Sequence, residues 1–264
     1  VLAASLLLSA CGAGATNLDL PDDPGAVILV VEDVGGFAPL NFLLNRPPRF
    51  ALTAGGDFVI QGPVIQIYPG PLLPNLQTGR LDEETFQFTL EEIEAIGLSE
   101  MTDEVDDEAS SRVADATTTV VTFYDDNGAH RFSVYALGIG GPWQDERVGI
   151  LENLVQTLEQ TGFSTPTTVY QAERIQVYAG IDEFEPEPAI KNVQPWPLPV
   201  PFEQMTSMVQ SWSCAVFEGS EAAALFDAFG QANQATRWEA AGTEYNLIPR
   251  PLLPGEEPCR AVSL

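Results

Sequence analysis

Two kinds of hydrophobic spacing alternate along the chain, and the switches between them mark its elements. Ala26-Val-Ile-Leu-Val-Val31 is an unbroken apolar run of the kind carried by a strand buried on both faces. Phe50-Ala-Leu-Thr53 and Phe58-Val-Ile60 flank Gly55-Gly-Asp57, which predicts a hairpin. Near residue 89 the period lengthens. Thr89 with Glu92 has the form of a capping box, and Leu90, Ile93 and Ile96 fall on one helical face that stops at Gly97. The order then repeats. β-rich runs from Thr117 to Tyr124 and from His130 to Leu137 flank Asp125-Asp-Asn-Gly128, among the strongest short-range hairpin signals. After Gly140-Gly-Pro142, Val148, Leu151, Val155 and Leu158 share a helix face, with Gly162 at its end. Two hairpin-plus-helix units in succession predict an α+β fold, an antiparallel sheet with both helices on one face.

Beyond Thr167 the pattern predicts one more strand, Arg174 to Tyr178, which the sequence alone assigns to neither half of the chain. Asp182 to Pro201 holds six prolines and is expected to be a linker or a polyproline strap rather than regular structure. A smaller unit follows, with a strand from Trp212 to Phe217 and a helix capped by Ser220 that turns Ala222, Leu225, Phe226 and Phe229 inward. A last hairpin runs from Arg237 around Gly242 to Ile248. The expected division is an N-terminal α+β domain over residues 26–165 and a C-terminal α+β unit over 166–264 that includes the Pro-rich linker 182–201. One internal echo crosses it. Pro69-Gly-Pro-Leu-Leu-Pro74 and Pro249-Arg-Pro-Leu-Leu-Pro254 share five of six positions, which reads either as a recurrent polyproline exit from a sheet edge or as a duplicated hairpin unit.

The apolar pattern of the first residues has a different meaning. Leu2 to Leu8 is far too short for the roughly 30 Å of hydrocarbon that takes about 20 residues to span, but it suits the h-region of a signal peptide. It closes on Leu8-Ser9-Ala10-Cys11, which has the form of a lipobox. The thiol of Cys11 would take diacylglycerol, and small Ser9 and Ala10 would let the backbone reach the peptidase. Residues 1–10 are thus expected to be a lipoprotein signal peptide, truncated because no charged n-region precedes it, and residues 11–25 a lipidated tether. The competing reading is an ordinary secretory signal cut after Ala13-Gly-Ala15. Cysteine arithmetic favours lipidation, because three cysteines in an exported chain leave one over unless another chemistry uses it. With Cys11 spent, Cys214 and Cys259 are free to pair. A bridge closing roughly 45 residues is worth about 4 kcal/mol in the chain-entropy model and persists outside the cytoplasm. Two buried thiols are the alternative.

Composition narrows the partners. With 45% hydrophobic residues the chain can bury a core, so its net charge of −27 describes an acidic surface on a folded body. That surface repels phosphate backbones and anionic headgroups, so nucleic acid is not an expected partner and membrane contact is expected from the N-terminal lipid alone.

Two segments carry a resemblance. Phe50 to Pro74, with its Gly-Gly-Asp turn and Pro-Gly-Pro-Leu-Leu-Pro exit, resembles one half of uncharacterised lipoproteins of high-GC Gram-positive bacteria. The tail resembles the other half, with Cys214, Gly219, Trp238, Tyr245, Arg250-Pro-Leu-Leu-Pro254, Glu256 and Cys259 in order. The resemblance implies export and a paired cysteine. It implies no activity.

Candidate chemistry is sparse. His130 is the single histidine and reads as a half-exposed hairpin residue rather than a general base. Neither G-x-S-x-G nor H-E-x-x-H occurs. Glu100, Asp103, Glu104, Asp106, Asp107 and Glu108 form an acidic run without the glycine or spacing of an EF-hand. It reads as a solvated loop, with a weak calcium site at Asp103, Asp106 and Asp107 as the second reading. Trp196, set among prolines, either docks against the second unit or presents its ring to a ligand. The function expected is a non-enzymatic, lipid-anchored module outside the cytoplasm that binds a protein or envelope ligand at a groove or sheet edge between the two units. An envelope hydrolase using acidic residues, with or without calcium, is the alternative, and a purely structural envelope subunit is the third.

Overall fold

A computed structural model describes residues 16–100, 104–105, 113–139, 143, 145–181, 186–199, 206–209 and 212–259. The fold is α+β, built on two sheets. The first contains β1 (Val27–Val34), β2 (Phe50–Thr53), β3 (Asp57–Gln61), β4 (Leu76–Arg80), β5 (Glu104–Val105), β6 (Thr118–Asp125), β7 (Gly128–Tyr135) and β8 (Thr168–Val169), in the order β5-β7-β6-β1-β2-β3-β4-β8. All neighbours are antiparallel except β5 and β7. The unbroken apolar run takes the central place. Val31 lies opposite Phe50 on one side and Val121 on the other, so β1 joins the two hairpins into one sheet.

Among the described residues three α-helices belong to this half of the chain: α1 (Leu40–Asn45), α2 (Glu83–Ile96) and α3 (Glu146–Ser164). Helices α2 and α3 pack against each other and on one face of the sheet. Leu90, Ile93, Ile96, Leu151, Leu154 and Leu158 meet the inward residues of each hairpin, Phe50 and Leu52, Phe58 and Ile60, Val121 and Phe123, Phe132 and Val134. The period-two spacing of those pairs is what puts them on one face, and each fully buried side chain is worth about 1.5–3 kcal/mol.

In this half, two helix boundaries differ from expectation. Helix α2 begins at Glu83, ahead of the expected capping box, because the Asp82 carboxylate accepts from the Thr85 backbone N–H at 2.7 Å, with Glu83 and Glu84 in the first turn. Thr89 is buried inside the helix, where its hydroxyl donates back to the Thr85 carbonyl. Likewise Gly162 does not end α3. The helix runs on to Ser164 and stops at Thr165, which is extended as a residue before proline must be. Gly162 is small for another reason: a Cβ there would sit 3.1 Å from Ile60 Cγ2.

The second sheet contains β9 (Arg174–Gly180), β10 (Asn192–Pro195), β11 (Thr206–Val209), β12 (Trp212–Glu218), β13 (Thr236–Ala240) and β14 (Thr243–Pro251), in the order β10-β13-β14-β9-β12-β11. The strand left unassigned by sequence, β9, lies inside this sheet between β14 and β12. Helix α4 (Gly219–Gly230) covers one face, burying Leu225 and Phe229 with Ile175, Val177, Phe217, Trp238 and Leu247. Ser220 does not cap it; the helix starts at Gly219, with Glu218 in the cap position and no side-chain cap bond. The stretch 182–201 is not wholly irregular either. Asn192–Pro195 pairs in parallel with β13 as an edge strand, a place where proline costs no ladder bond.

Cys214 and Cys259 form a disulfide with Cα atoms 5.8 Å apart. Around it the C-terminal tail is fastened to β9. The Cys259 N–H donates to Gln176 Oε1, the Leu252 N–H to the Arg174 carbonyl, and Arg250 pairs with Glu256 in a nearly closed environment.

Two segments of the first half reach into the second. Leu44 of α1 is buried with Tyr178, Trp212, Cys214 and Ile248 on the face of the second sheet opposite α4. Leu72, from the β3–β4 connection, is buried in the α4 core with Ile175, Leu225 and Phe229. Backbone bonds support it, from Leu72 N–H to the Ala232 carbonyl at 3.2 Å and from Gln234 N–H to the Gly70 carbonyl at 3.0 Å. The two copies of the Pro-Leu-Leu-Pro echo therefore stand in different settings. Pro69 to Pro74 lies outside the regular strands, whereas Pro249 to Pro251 continues β14 in register with Val177, Gln176 and Ile175.

Candidate functional site

The β3–β4 connection, residues 62–75, is fastened at two points. At its neck the Gly62 N–H donates to the Asn75 carbonyl at 2.7 Å, and Asn75 Nδ2 donates to the Pro63 carbonyl at 3.0 Å. A Cβ at Gly62 would lie 2.6 Å from Gln77 Cγ and 2.7 Å from Asn75 Nδ2, so a side chain there would have to push those two side chains aside. At the far side Gly70 is held by both the backbone and the side chain of Gln234. Between these fastenings Val64, Ile65, Ile67 and Tyr68 are 59, 71, 59 and 58% exposed. No charged residue occurs between Asp57 and Arg80, in a chain where charged residues are 19% of the total. A run of large apolar side chains held out into water has no folding advantage, and such patches mark interaction surfaces. Sequence spacing does not single these residues out, although they are aliphatics bracketed by Pro63 and Pro69 in an uncharged stretch.

The expected site residues fall elsewhere. Trp196 sits against Phe217, ring centroids 6.0 Å apart, partly buried on the α4 core, with its backbone N–H donating to the Glu239 carbonyl. Cys11 and the calcium candidates Asp103, Asp106 and Asp107 lie outside the described residues. Among the described residues no three His, Cys, Asp or Glu side chains are grouped to hold a metal ion.

The carboxylates that are close to partners serve the fold. Asp125 Oδ1 accepts from the Asn127 and Gly128 N–H groups and lies 3.0 Å from His130 Nε2. Burial by itself would raise the Asp125 pKa, but the hydrogen bonds from His130 and Asn127 outweigh it and hold the carboxyl below its ordinary value. Asp33 and Glu159 share the Arg49 guanidinium, with Glu159 bound bidentately at 2.7 and 3.0 Å, which fastens α3 to the β1–β2 region. A shallow cleft of about 690 Å³ opens at the start of α4, lined by Glu173, Arg174, Glu218, Gly219, Phe226 and Asp227. Arg174 is already engaged there, donating to the Glu256 carbonyl.

The N-terminal segment is bound to the body earlier than a tether ending at residue 25 would be. Asn17 donates to Glu94 Oε1 through its backbone and side chain at 3.2 and 3.0 Å, the Asp126 N–H donates to the Asp19 carbonyl, and Leu18 and Leu20 pack on the first core. No helix among the described residues is long and apolar enough to cross a membrane.

No protein-family model, curated protein or solved structure matches this chain.

Proposed function

We propose that this protein is an exported, lipid-anchored component of the cell envelope that works by binding a partner rather than by catalysis. The observation that carries the binding reading is the uncharged loop 62–75, with four large apolar side chains held out by bonds at both ends. Export is supported by the Cys214–Cys259 bridge, since such bonds persist where thiols are not kept reduced. Anchoring is supported by Leu8-Ser-Ala-Cys11, and two acyl chains on one cysteine meet the need for two signals in stable membrane attachment. The resemblance to lipoproteins of high-GC Gram-positive bacteria points the same way.

Fractionation tests the reading. The wild-type chain should sediment with membranes and the Cys11→Ala variant should be released, while globomycin, which blocks lipoprotein signal cleavage, should cause the precursor to accumulate. A Cys11→Ala protein that stays with the membranes would refute the anchor.

A further inference from the structure

Asn127 is the one asparagine of the chain that glycine follows, and both residues stand exposed in the turn between β6 and β7. A backbone nitrogen whose own residue has no side chain can approach the preceding asparagine side chain unhindered. The other asparagines precede residues that carry side chains, bulky ones in Phe42, Leu76 and Val193. We propose that Asn127 is the chain's site of spontaneous deamidation and that Asp125 restrains the reaction by holding the Gly128 nitrogen.

The chemistry needs only water. The Gly128 nitrogen loses its proton to solvent and bonds to Asn127 Cγ, and the side-chain nitrogen leaves as ammonia, taking up a proton in turn. Water then opens the resulting succinimide ring at one of its two carbonyls. One opening gives aspartate, and the other gives isoaspartate, in which the chain runs through the former side chain.

The turn opposes the first step in two ways. The Gly128 N–H donates to Asp125 Oδ1 at 3.0 Å, and the Asn127 N–H donates to the same oxygen at 2.8 Å. An N–H engaged in this way faces the carboxylate rather than Cγ, and the negative charge beside it disfavours loss of its proton. The Asp125 side chain is itself fixed, 4% exposed and 3.0 Å from His130 Nε2. Register supplies the second restraint. Asp125 lies opposite Gly128 and Tyr124 opposite Ala129, so the backbone at Asn127 cannot rotate toward the attacking geometry while the ladder is intact. Isoaspartate would add a methylene to the main chain inside this turn. It would also draw the Asp126 N–H from the Asp19 carbonyl, a bond that ties the N-terminal segment to the first sheet.

Peptide mapping by mass spectrometry tests both parts. The full chain is held at neutral pH, folded and in guanidinium chloride, and conversion at residue 127 is timed against Asn192, which is also exposed. In denaturant residue 127 should convert well ahead of Asn192, with aspartate and isoaspartate both formed. Folding should slow it roughly tenfold or more, tenfold being about 1.36 kcal/mol, less than a hydrogen bond to a charged group is worth. Folded Asp125→Ser, which can still accept a hydrogen bond but carries no charge, should recover much of the denatured rate. Amide exchange in β6 and β7 checks that its hairpin stays folded, and Asp125→Thr, a strand-favouring residue with the same acceptor, replaces it if serine loosens the strands. No lead over Asn192 in denaturant would show that residue 127 is no such site. Equal rates in the folded and denatured chains, or a folded variant that converts no faster than wild type, would overturn the restraint by Asp125.

Discussion

Replacing Leu72 with Ala should loosen the core beneath α4, although residue 72 belongs by sequence to the first sheet. Leu72 is 6% exposed and packs in one cluster with Ile175, Leu225 and Phe229. Truncating a buried leucine removes its transfer free energy and leaves a cavity that neighbours fill only in part, at a cost of 2–5 kcal/mol. The Leu72 and Gly70 backbone bonds to Ala232 and Gln234 survive the substitution and limit collapse of the loop, which places the expected cost at about 3 kcal/mol. That corresponds to a loss of roughly a hundredfold in protection against amide exchange, since 1.36 kcal/mol is tenfold. Hydrogen exchange read by mass spectrometry is the suitable assay because it resolves segments. Peptides from α4 and β9 should lose protection, and those from β6 and β7 should lose much less. Loss confined to residues 69–74, with α4 and β9 unchanged, would show that Leu72 merely rests on the second unit and would refute the account of a shared core.

Removing the bridge with Cys214→Ala and Cys259→Ala together should lower stability by about 4 kcal/mol, from the loop entropy of a 45-residue separation. Urea unfolding of the native and double-variant proteins measures it, and a difference under 1 kcal/mol would remove the argument. Tyr170 donates its hydroxyl to the Leu252 carbonyl, and its pKa is pushed up to about 12 by burial and by the charges of Glu256 and Glu173. Because the folded value lies above the ordinary 10.0, this contribution to stability is intact below pH 10 and is lost as pH rises toward the folded value. Tyrosinate absorbance should show a late-titrating phase that shrinks in Tyr170→Phe, leaving the share of Tyr178, whose hydroxyl burial also raises. A Tyr170 that titrates with the exposed tyrosines would contradict the burial.

Secondary structure was legible in the chain wherever it depends on neighbours a few residues away. The pairs Phe50 and Leu52, Val121 and Phe123, and Phe132 and Val134 marked their strands. The Asp125-Asp-Asn-Gly128 turn marked its hairpin, and the cysteine count marked the bridge. Errors came where a local signal had two uses. Thr89 looks like a cap but bonds back within a helix, Gly162 looks like a stop but makes room for Ile60, and Asn192 to Pro195 looks like a linker but completes a sheet edge. The candidate site was hidden for a different reason. An aliphatic run such as Val64 to Tyr68 reads equally well as core or as surface, because hydrophobicity along a chain does not say what remains to cover it.

What the amino-acid order determined by itself was the set of local elements, through spacing, turn chemistry and capping. Only the tertiary structure decided that β1 would stand between the hairpins, that Leu44 and Leu72 would cross into the second unit, and that residues 63–68 would be left outside. The reason is that burial belongs to the whole packing arrangement: a leucine is inside only if distant segments close over it, and no short window of sequence contains those segments.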